Sequence, residues 1–461
     1  METIATINGI VNDFVWGVPA IAMILITGVF LTIKLDFIQF KHLGYLFSRT
    51  GGKAFSKKDD GEKVEGEVTS FQAAMMSISA IVGSGNIAGV ATAIVAGGPG
   101  ALFWMIVAAF IGMATKCAEI ALGIKYREAR KDGTVDGGPM YYIAKGLKCK
   151  WLGVFMSVCV IFYAIVISGI IDINTMAAVL NERFSIPTVG TGVFFAILTG
   201  ICIFGGAKRV GRACEVLAPF MGGAYILSGI AIILLNITDV PAAIGLILKA
   251  AFTPRGVTGG AVGSIFVAMR YGFARGIFSN EAGVGSAAMV HCNAAVKHPM
   301  EQAVWGPVEV FLDTVLVCSV SGVAIILSGL YSDPSLDGAR LPMAAFDMLL
   351  PGTWGGLICL GAVILFGFSC LITFNTYVER GATFLFGEKC RTIVRVIWVI
   401  FVFIGAISGE SIVWDIADTV NGIIIFPNLI ALWVLSKELV ALKKEYTDSD
   451  IAAYKKGKAV K

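Results

Sequence analysis

The chain reads as an all-α membrane protein of about 11 transmembrane helices: one extra N-terminal helix, then a five-plus-five inverted repeat with two broken helices. Three observations carry this reading. Of 461 residues, 57% are hydrophobic and only 15% charged, against about 45–50% and about 25% in a soluble domain. Apolar runs of the roughly 20 residues that cross a bilayer recur from end to end. Two of those runs are interrupted near their middles by Gly, Ser and Asn. The mean hydropathy of +0.82 excludes a soluble enzyme, a disordered chain and a collagen-like repeat. The formal net charge of +4 is small, so nothing points to nucleic acid. The lipid bilayer is the first partner implied.

In order, the apolar runs predict spans at 13–33, 69–95, 98–124, 151–180, 188–205, 213–236, 259–292, 301–329, 353–385, 392–408 and 411–436. Lys and Arg favour cytoplasmic loops. With the N-terminus outside, the inside loops 34–68, 125–150, 206–212, 293–300, 380–395 and 437–461 hold 29 of the 36 basic residues. An odd number of spans then leaves the C-terminus in the cytoplasm, with the protein in the plasma membrane. The chain divides into 1–68 (extra helix and linker), 69–240 and 241–436 (the two five-helix repeats) and 437–461 (tail). The Gly- and charge-rich stretch 48–67 reads as a flexible linker, and 240–258 as short interfacial helices outside. A solvated helix or frayed end suffices for the tail. The N-terminus has no basic region before its first apolar run, so no cleaved signal is expected. Most of the ten Cys fall in apolar runs and none forms a CxxC pair, which reads as small buried hydrophobes.

The second span carries Ile81-Val82-Gly83-Ser84-Gly85-Asn86-Ile87-Ala88-Gly89. The seventh carries Tyr271-Gly272-Phe273-Ala274-Arg275-Gly276-Ile277-Phe278-Ser279-Asn280-Glu281-Ala282-Gly283. Gly costs about 1 kcal/mol per residue in a helix interior, and irregular backbone survives at membrane depth only beside protein or a wet cavity. Helix–helix packing explains Gly89, Gly97 and Gly98 equally well; unwinding explains Gly83 to Asn86 better. Asn86, and Ser279 or Asn280, can cap new half-helices. The two breaks share Asn-x-Ala-Gly-Val, at Asn86–Val90 and Asn280–Val284. With the first span set aside, they fall in the first helix of each five, and those helices run in opposite directions. Interrupted helices at matching places in inverted halves point to a transporter binding site.

A half-helix starting near Asn86 turns free N–H groups and its positive end to the cavity, which suits a carboxylate. The carbonyls from Ser79 to Val82 suit a hard cation such as Na⁺. Ser369, Thr373 and Thr376 put three hydroxyls on one face of the ninth span. They either ligate a cation or bond back to carbonyls one turn earlier. Charges inside spans are functional candidates because burying them is costly. Lys116 and Glu119 are expected to pair. Asp172 could serve an outer gate. Asp313, one turn from Glu309, could reach a cation near Asn86 or simply be hydrogen-bonded. Arg270 and Arg275 could pair with Glu281 or Asp172.

Gly97-Gly98-Pro99-Gly100-Ala101-Leu102-Phe103-Trp104-Met105, ending at Gly112, resembles the signature of the alanine/glycine:cation symporters. Glu67-Val68-Thr69-Ser70-Phe71-Gln72-Ala73, Gly137-Gly138-Pro139-Met140-Tyr141-Tyr142 and Phe278-Ser279-Asn280-Glu281-Ala282-Gly283 are similar to that family too. Ile106 departs from it, where many members carry an aromatic. The family resembles the superfamily with the leucine-transporter-type fold, whose Gly-x-Gly-Asn turn, Gly-rich linker and membrane Glu are matched by Gly83 to Asn86, Gly97-Gly98 and Glu119. The resemblance implies sodium-coupled symport of small neutral amino acids, alanine or glycine. It implies that amides around Ser84 and Gly85 hold the substrate carboxylate. Asn86 would help ligate one Na⁺, and the Val82 carbonyl, Ser369 and Thr373 a second. Carbonyls around Phe273, Ala274 and Gly276 would meet the ammonium, with Phe273, Ile277 and Phe278 capping a small pocket.

Other classes fit less well. A proton-coupled carrier stays open through Glu309 and Asp313. A channel would need pore rings or a filter loop, which one asymmetric chain with two different breaks does not offer. A membrane enzyme would need a nucleophile–base pair or a metal site; no His lies mid-span, and neither HExxH nor GxSxG occurs. An ATP-driven pump would need GxxxxGK[ST], and the chain has none.

Overall fold

The structure is a computed structural model that describes residues 2–54, 65–130, 133–253, 260–352, 354–408 and 411–455. It is almost entirely helical, and the spans come where the apolar runs put them. The first is Val18–Lys34, preceded by Glu2–Val15. Then follow Gly100–Lys125, Lys150–Phe184, Gly206–Leu235, Pro299–Ser328, Trp354–Phe386, Arg391–Ile407 and Ser411–Val434 as long apolar helices. The fifth, Thr188–Ile203, is shorter. The second and seventh are each in two pieces: Ser70–Ile81 with Ala88–Gly97, and Gly260–Asn280 with Ser286–His291.

Local chemistry explains the ends. Thr69 and Gln72 form a reciprocal capping box before Ser70–Ile81. The sixth span starts at Gly206 rather than 213, so the basic Lys208, Arg209 and Arg212 lie on its first turns. Gly28 lets the first span touch the third, where a Cβ would lie 2.0 Å from Ile111 Cγ2. Phe30 stacks on Trp433 of the last span with centroids 4.4 Å apart. The first span, outside the repeat, therefore braces spans three and eleven.

Two loop expectations need correction. The stretch 48–67 is not all linker: Leu43–Ala54 is helical, and residues 55–64 lie outside the described residues. The tail is not merely a solvated helix. Asp450 is buried and accepts from Tyr45 Oη at 2.7 Å and from Arg49, so Asp448–Lys455 docks on Leu43–Ala54. The basic loop 125–150 contains a short hairpin, Glu128–Ala129 against Val135–Asp136, and a helix, Pro139–Gly146. The expected interfacial helix after the sixth span is Val240–Phe252; residues 254–259 lie outside the described residues.

Candidate transport site

The first break begins where Val82 leaves the helix, at φ −81°, ψ 86°, and Gly83 is extended. Ser84–Asn86 then makes one tight turn before Ala88–Gly97. Asn86 does not cap forward as expected. Its Oδ1 reaches back and accepts from the Gly83 amide at 2.9 Å, and this closes the turn on itself. Its Nδ2 donates to Asp313 Oδ1 at 2.6 Å. The Asn86 carbonyl, freed by the turn, accepts from Ser321 Oγ at 2.6 Å.

Two carboxylates from other spans face this turn. Asp172 Oδ1 accepts from Ser84 Oγ at 2.5 Å and from the Ser84 amide at 3.4 Å. Asp172, an outer-gate candidate from the sequence, thus lies at the break itself. Asp313 lies on the other side, and its Oδ2 accepts from Ser279 Oγ at 2.8 Å and Thr314 Oγ1 at 2.7 Å. Both residues sit in π-helical segments, Ile167–Asp172 and Phe311–Cys318, a geometry frequent at functional sites. Ser84, Asn86, Asp172 and Asp313 are all buried.

The ninth span covers the carbonyl side. Ser369 Oγ donates to the Ser79 carbonyl at 3.0 Å and to Phe366 O at 2.9 Å. Thr373 Oγ1 bonds back to Ser369 O at 2.9 Å. The Cys370 thiol faces the carbonyls of Ser79, Ala80 and Val82 at 3.4, 3.3 and 3.8 Å. The carbonyls at the end of Ser70–Ile81 and of Val82 thus share one buried spot with the Ser369 hydroxyl, oxygens suited to a hard cation, while Thr373 bonds back within its own helix. Thr376, the third hydroxyl of the stripe, instead lines a cavity of about 450 Å³ with Glu67, Glu379, Arg380 and Arg391.

The second break lies later than the glycines of 272–276 suggest. The helix continues through Asn280, and the chain unwinds where Glu281, Gly283 and Gly285 take positive φ values of 55°, 105° and 85°. The carbonyls of Phe273, Ala274 and Gly276 therefore lie inside a continuous helix, where each faces the amide four residues on. Ile277 O accepts from the Glu281 amide at 2.8 Å. Phe273 and Gly276 turn toward the third span, near Trp104 and Ala108. Of the predicted capping residues, Phe278 reaches the first break and packs on Gly85. Lys116 and Glu119 do not pair with each other. The Lys116 ammonium donates to the Asn280 carbonyl at 2.8 Å, and Glu119 Oε1 accepts from the amides of Gly283 and Gly285 at 2.8 and 3.1 Å. Positive charge thus meets the carbonyl end of one half-helix, and negative charge the amides leading into the other. Asn428 Nδ2 joins Glu119 Oε1 to the Gly283 carbonyl at 2.7 and 2.8 Å.

Arg270 and Arg275 pair with neither Glu281 nor Asp172. They meet Asp13 at 2.8 Å and Asp418 at 2.7 Å. Sequence reasoning missed the surroundings of Glu281, which accepts from Tyr163, Tyr377 and Ser286. The Asn280-Glu281 pair inside a span was the available signal. Glu309, named from the sequence as a possible proton carrier, meets His291 at 2.8 Å and accepts from Ser77 at 2.8 Å, partners that the sequence did not announce.

Among the described residues, apolar spans of which two are broken, with buried carboxylates aimed at the first break, are the arrangement of a secondary transporter. The fold is shared with a Na⁺-coupled sialic acid symporter in a substrate-bound outward-open state (TM-score 0.52, 14% identity, 85% of this chain and 82% of that one). It is shared too with a manganese transporter of Eremococcus coleocola (TM-score 0.51, 14% identity, 84% and 87%). The sodium:alanine symporter family model matches residues 1–460, and the chain belongs to that family. Among its relatives are the sodium/alanine symporter AgcS of Methanococcus maripaludis (40% identity over 97% of this chain and 98% of the relative) and the amino-acid carrier protein AlsT of Bacillus subtilis (36%, 95% and 92%). The probable sodium/glutamine symporter GlnT of Bacillus subtilis is 34% identical over 96% of this chain and 90% of its own length.

Proposed function

We propose that this protein carries a small neutral amino acid, alanine or glycine, into the cell together with Na⁺, by alternating access around the first break. The observation that carries the reading is the pairing of Ser84 with Asp172. A zwitterion needs N–H donors for its carboxylate and an anion for its ammonium, a few ångström apart. The turn at Ser84 and Gly85 offers the donors; Asp172 is the anion. Asp172 now occupies the Ser84 donors itself. An incoming carboxylate displaces it, and the freed Asp172 turns to the ammonium. No carbonyl of Phe273, Ala274 or Gly276 is needed for that contact.

Family names alone do not set substrate size, since GlnT is named for glutamine. The close packing of the first break supports a small substrate: a Cβ at Gly83 would lie 2.6 Å from Cys370 Sγ, and one at Gly85 3.0 Å from Phe278 Cδ1. Na⁺ is assigned to two places. One is bounded by Asn86 and Asp313; the other by the Val82 carbonyl, Ser369 and Thr373. The distribution of Lys and Arg puts the N-terminus outside and the C-terminus in the cytoplasm. The chain boundaries at 68, 240 and 436 then delimit two five-helix repeats, one rocking on the other.

The test titrates radiolabelled alanine into purified protein in Na⁺ and in K⁺ at equal ionic strength. Saturable binding only in Na⁺, competed by glycine but not leucine, is expected. Equal binding in both salts overturns Na⁺ coupling, and no binding in either overturns the substrate. Asp172→Asn is expected to weaken alanine about ten- to hundred-fold, the size of one charge-assisted hydrogen bond. Unchanged affinity removes Asp172 from the site.

A further inference from the structure

Glu281 belongs to neither group of oxygens at the first break, yet it is among the most constrained residues in the protein. It is 1% exposed and holds φ at 55°, a conformation that side chains other than Gly seldom adopt and that clusters at ligand clamps. Its carboxylate accepts from Tyr163 Oη at 2.7 Å, Tyr377 Oη at 3.0 Å and Ser286 Oγ at 2.5 Å. Those hydroxyls come from the fourth span, the ninth span and the second half of the seventh. Among the described residues no ammonium or guanidinium pairs with it. Lys116 is held by Asn280, Arg275 by Asp418, and Arg380 by Asp136 and Glu67.

We propose that Glu281, Tyr163, Tyr377 and Ser286 form a further Na⁺ site at the second break, distinct from the two at the first. The inference rests on the coupled-transport reading. Three arguments support it. First, around the two breaks four buried carboxylates, Glu119, Asp172, Glu281 and Asp313, stand against two buried cationic side chains, Lys116 and Arg275, and Arg275 is taken by Asp418. Charges at membrane depth are costly without partners, so each surplus carboxylate calls for a cation or a proton. Second, the donor set is oxygen only, with one carboxylate and three hydroxyls, which selects a hard cation over a soft one. Each hydroxyl serves either state: it donates to the bare carboxylate, and by rotating its O–H it offers a lone pair to a bound ion. Third, Tyr377 follows Ser369 and Thr373 at one-turn intervals on one face of the ninth span. The oxygens therefore continue from the Ser79 carbonyl at the first break to Glu281 at the second. An ion here clamps the second half of the broken seventh span to spans four and nine.

The experiment is equilibrium ²²Na⁺ binding to the purified full chain, without amino acid, for wild type, Glu281→Gln and Ser369→Ala. Glu281→Gln is expected to bind one Na⁺ fewer per chain, and the Ser369→Ala loss to add to it. The same count and affinity in Glu281→Gln overturns the proposal. If that variant does not fold, Tyr163→Phe and Tyr377→Phe each keep the ring and remove one oxygen. Each is expected to weaken one site on the order of fivefold, and wild-type binding in both overturns the site. A pH indicator is read in parallel. A proton released by wild type and not by Glu281→Gln, with the Na⁺ count unchanged, makes Glu281 a proton carrier and also overturns it. Failure of the underlying reading looks different, because wild type then binds no Na⁺ at all.

Discussion

At Gly85 a Cβ would stand 3.0 Å from Phe278 Cδ1 and 3.1 Å from Cε1, and at Gly83 it would stand 2.6 Å from Cys370 Sγ. Neither glycine has a positive φ, so what each supplies is room, not backbone freedom. The contact at Gly85 is tight but made by a ring, which can tilt by a few tenths of an ångström. Gly85→Ala is therefore expected to keep the fold and weaken alanine binding modestly. Gly85→Val pushes a branched side chain into both Phe278 and the space of the substrate, an overpacking cost of about 1–3 kcal/mol, and is expected to abolish binding. The check is alanine affinity beside the yield of monodisperse protein on gel filtration. Wild-type affinity in the Val variant shows that the Gly85–Phe278 contact is not a wall of the site.

Among the elements, the second break shows most clearly what sequence can and cannot reveal. Hydropathy located all eleven spans, since bilayer thickness sets a length that composition reports directly. The first break was legible because Gly83, Ser84, Gly85 and Asn86 are weak helix formers in succession. The second was placed too early because Gly272 and Gly276 look alike as breakers and as packing residues. A Cβ at Gly272 would lie 2.6 Å from the Ala101 carbonyl, so this glycine lets two helices touch. What ends the helix is the third span, through Lys116 on the Asn280 carbonyl and Glu119 on the amides of Gly283 and Gly285. Such contacts, like those of Asp172 and Glu281, join residues far apart in sequence, and no local spacing announces them. Lys116→Met leaves a buried carbonyl unpaired and is expected to cost about 1–3 kcal/mol. Glu119→Gln, which keeps one oxygen for the same amides, is expected to cost less. Since both residues hold one break, the double variant should lose less than the two losses added together. Thermal unfolding in detergent reads all three, and strictly additive losses would mean that the two act independently.

Over the whole molecule, the two broken helices are tied together at the face that carries most of the Lys and Arg. Val68, just before Ser70–Ile81, forms a parallel bridge with Ala294, just after Ser286–His291. Arg127 holds the same strip through the carbonyls of Cys292, Ala294 and Glu65 at 3.0, 2.7 and 2.7 Å. Arg380, near the end of the ninth span, reaches Glu67 at 3.0 Å, Asp136 at 2.6 Å and Asn293. Arg391 and Arg130 close on Asp136 at 2.8 and 2.9 Å. One buried carboxylate thus gathers three guanidinium groups and locks the ends of both broken helices to the ninth span and the hairpin. Burial by itself would push the Asp136 carboxyl up; Arg380, Arg391 and Arg130 outweigh it and hold it below the ordinary 3.8. A carboxyl depressed by folding stabilises the folded form above its ordinary range and loses that contribution only as pH falls through its lowered value. The latch should therefore be insensitive to pH from 8 down to 5. Asp136→Asn removes the charge at every pH and leaves the guanidinium groups uncompensated, at about 3–5 kcal/mol for a broken buried pair. Cys292 is fully buried against Gly137 under this latch, so its alkylation by a maleimide reports opening. In reconstituted protein the Asp136→Asn variant is expected to label at Cys292 about tenfold faster or more, with Cys292→Ala subtracting the other thiols. Wild type should label slowly and at one rate across that pH range, once the reagent's own pH dependence is divided out. Equal rates in variant and wild type would mean that the ion-pair network decorates this face without closing it.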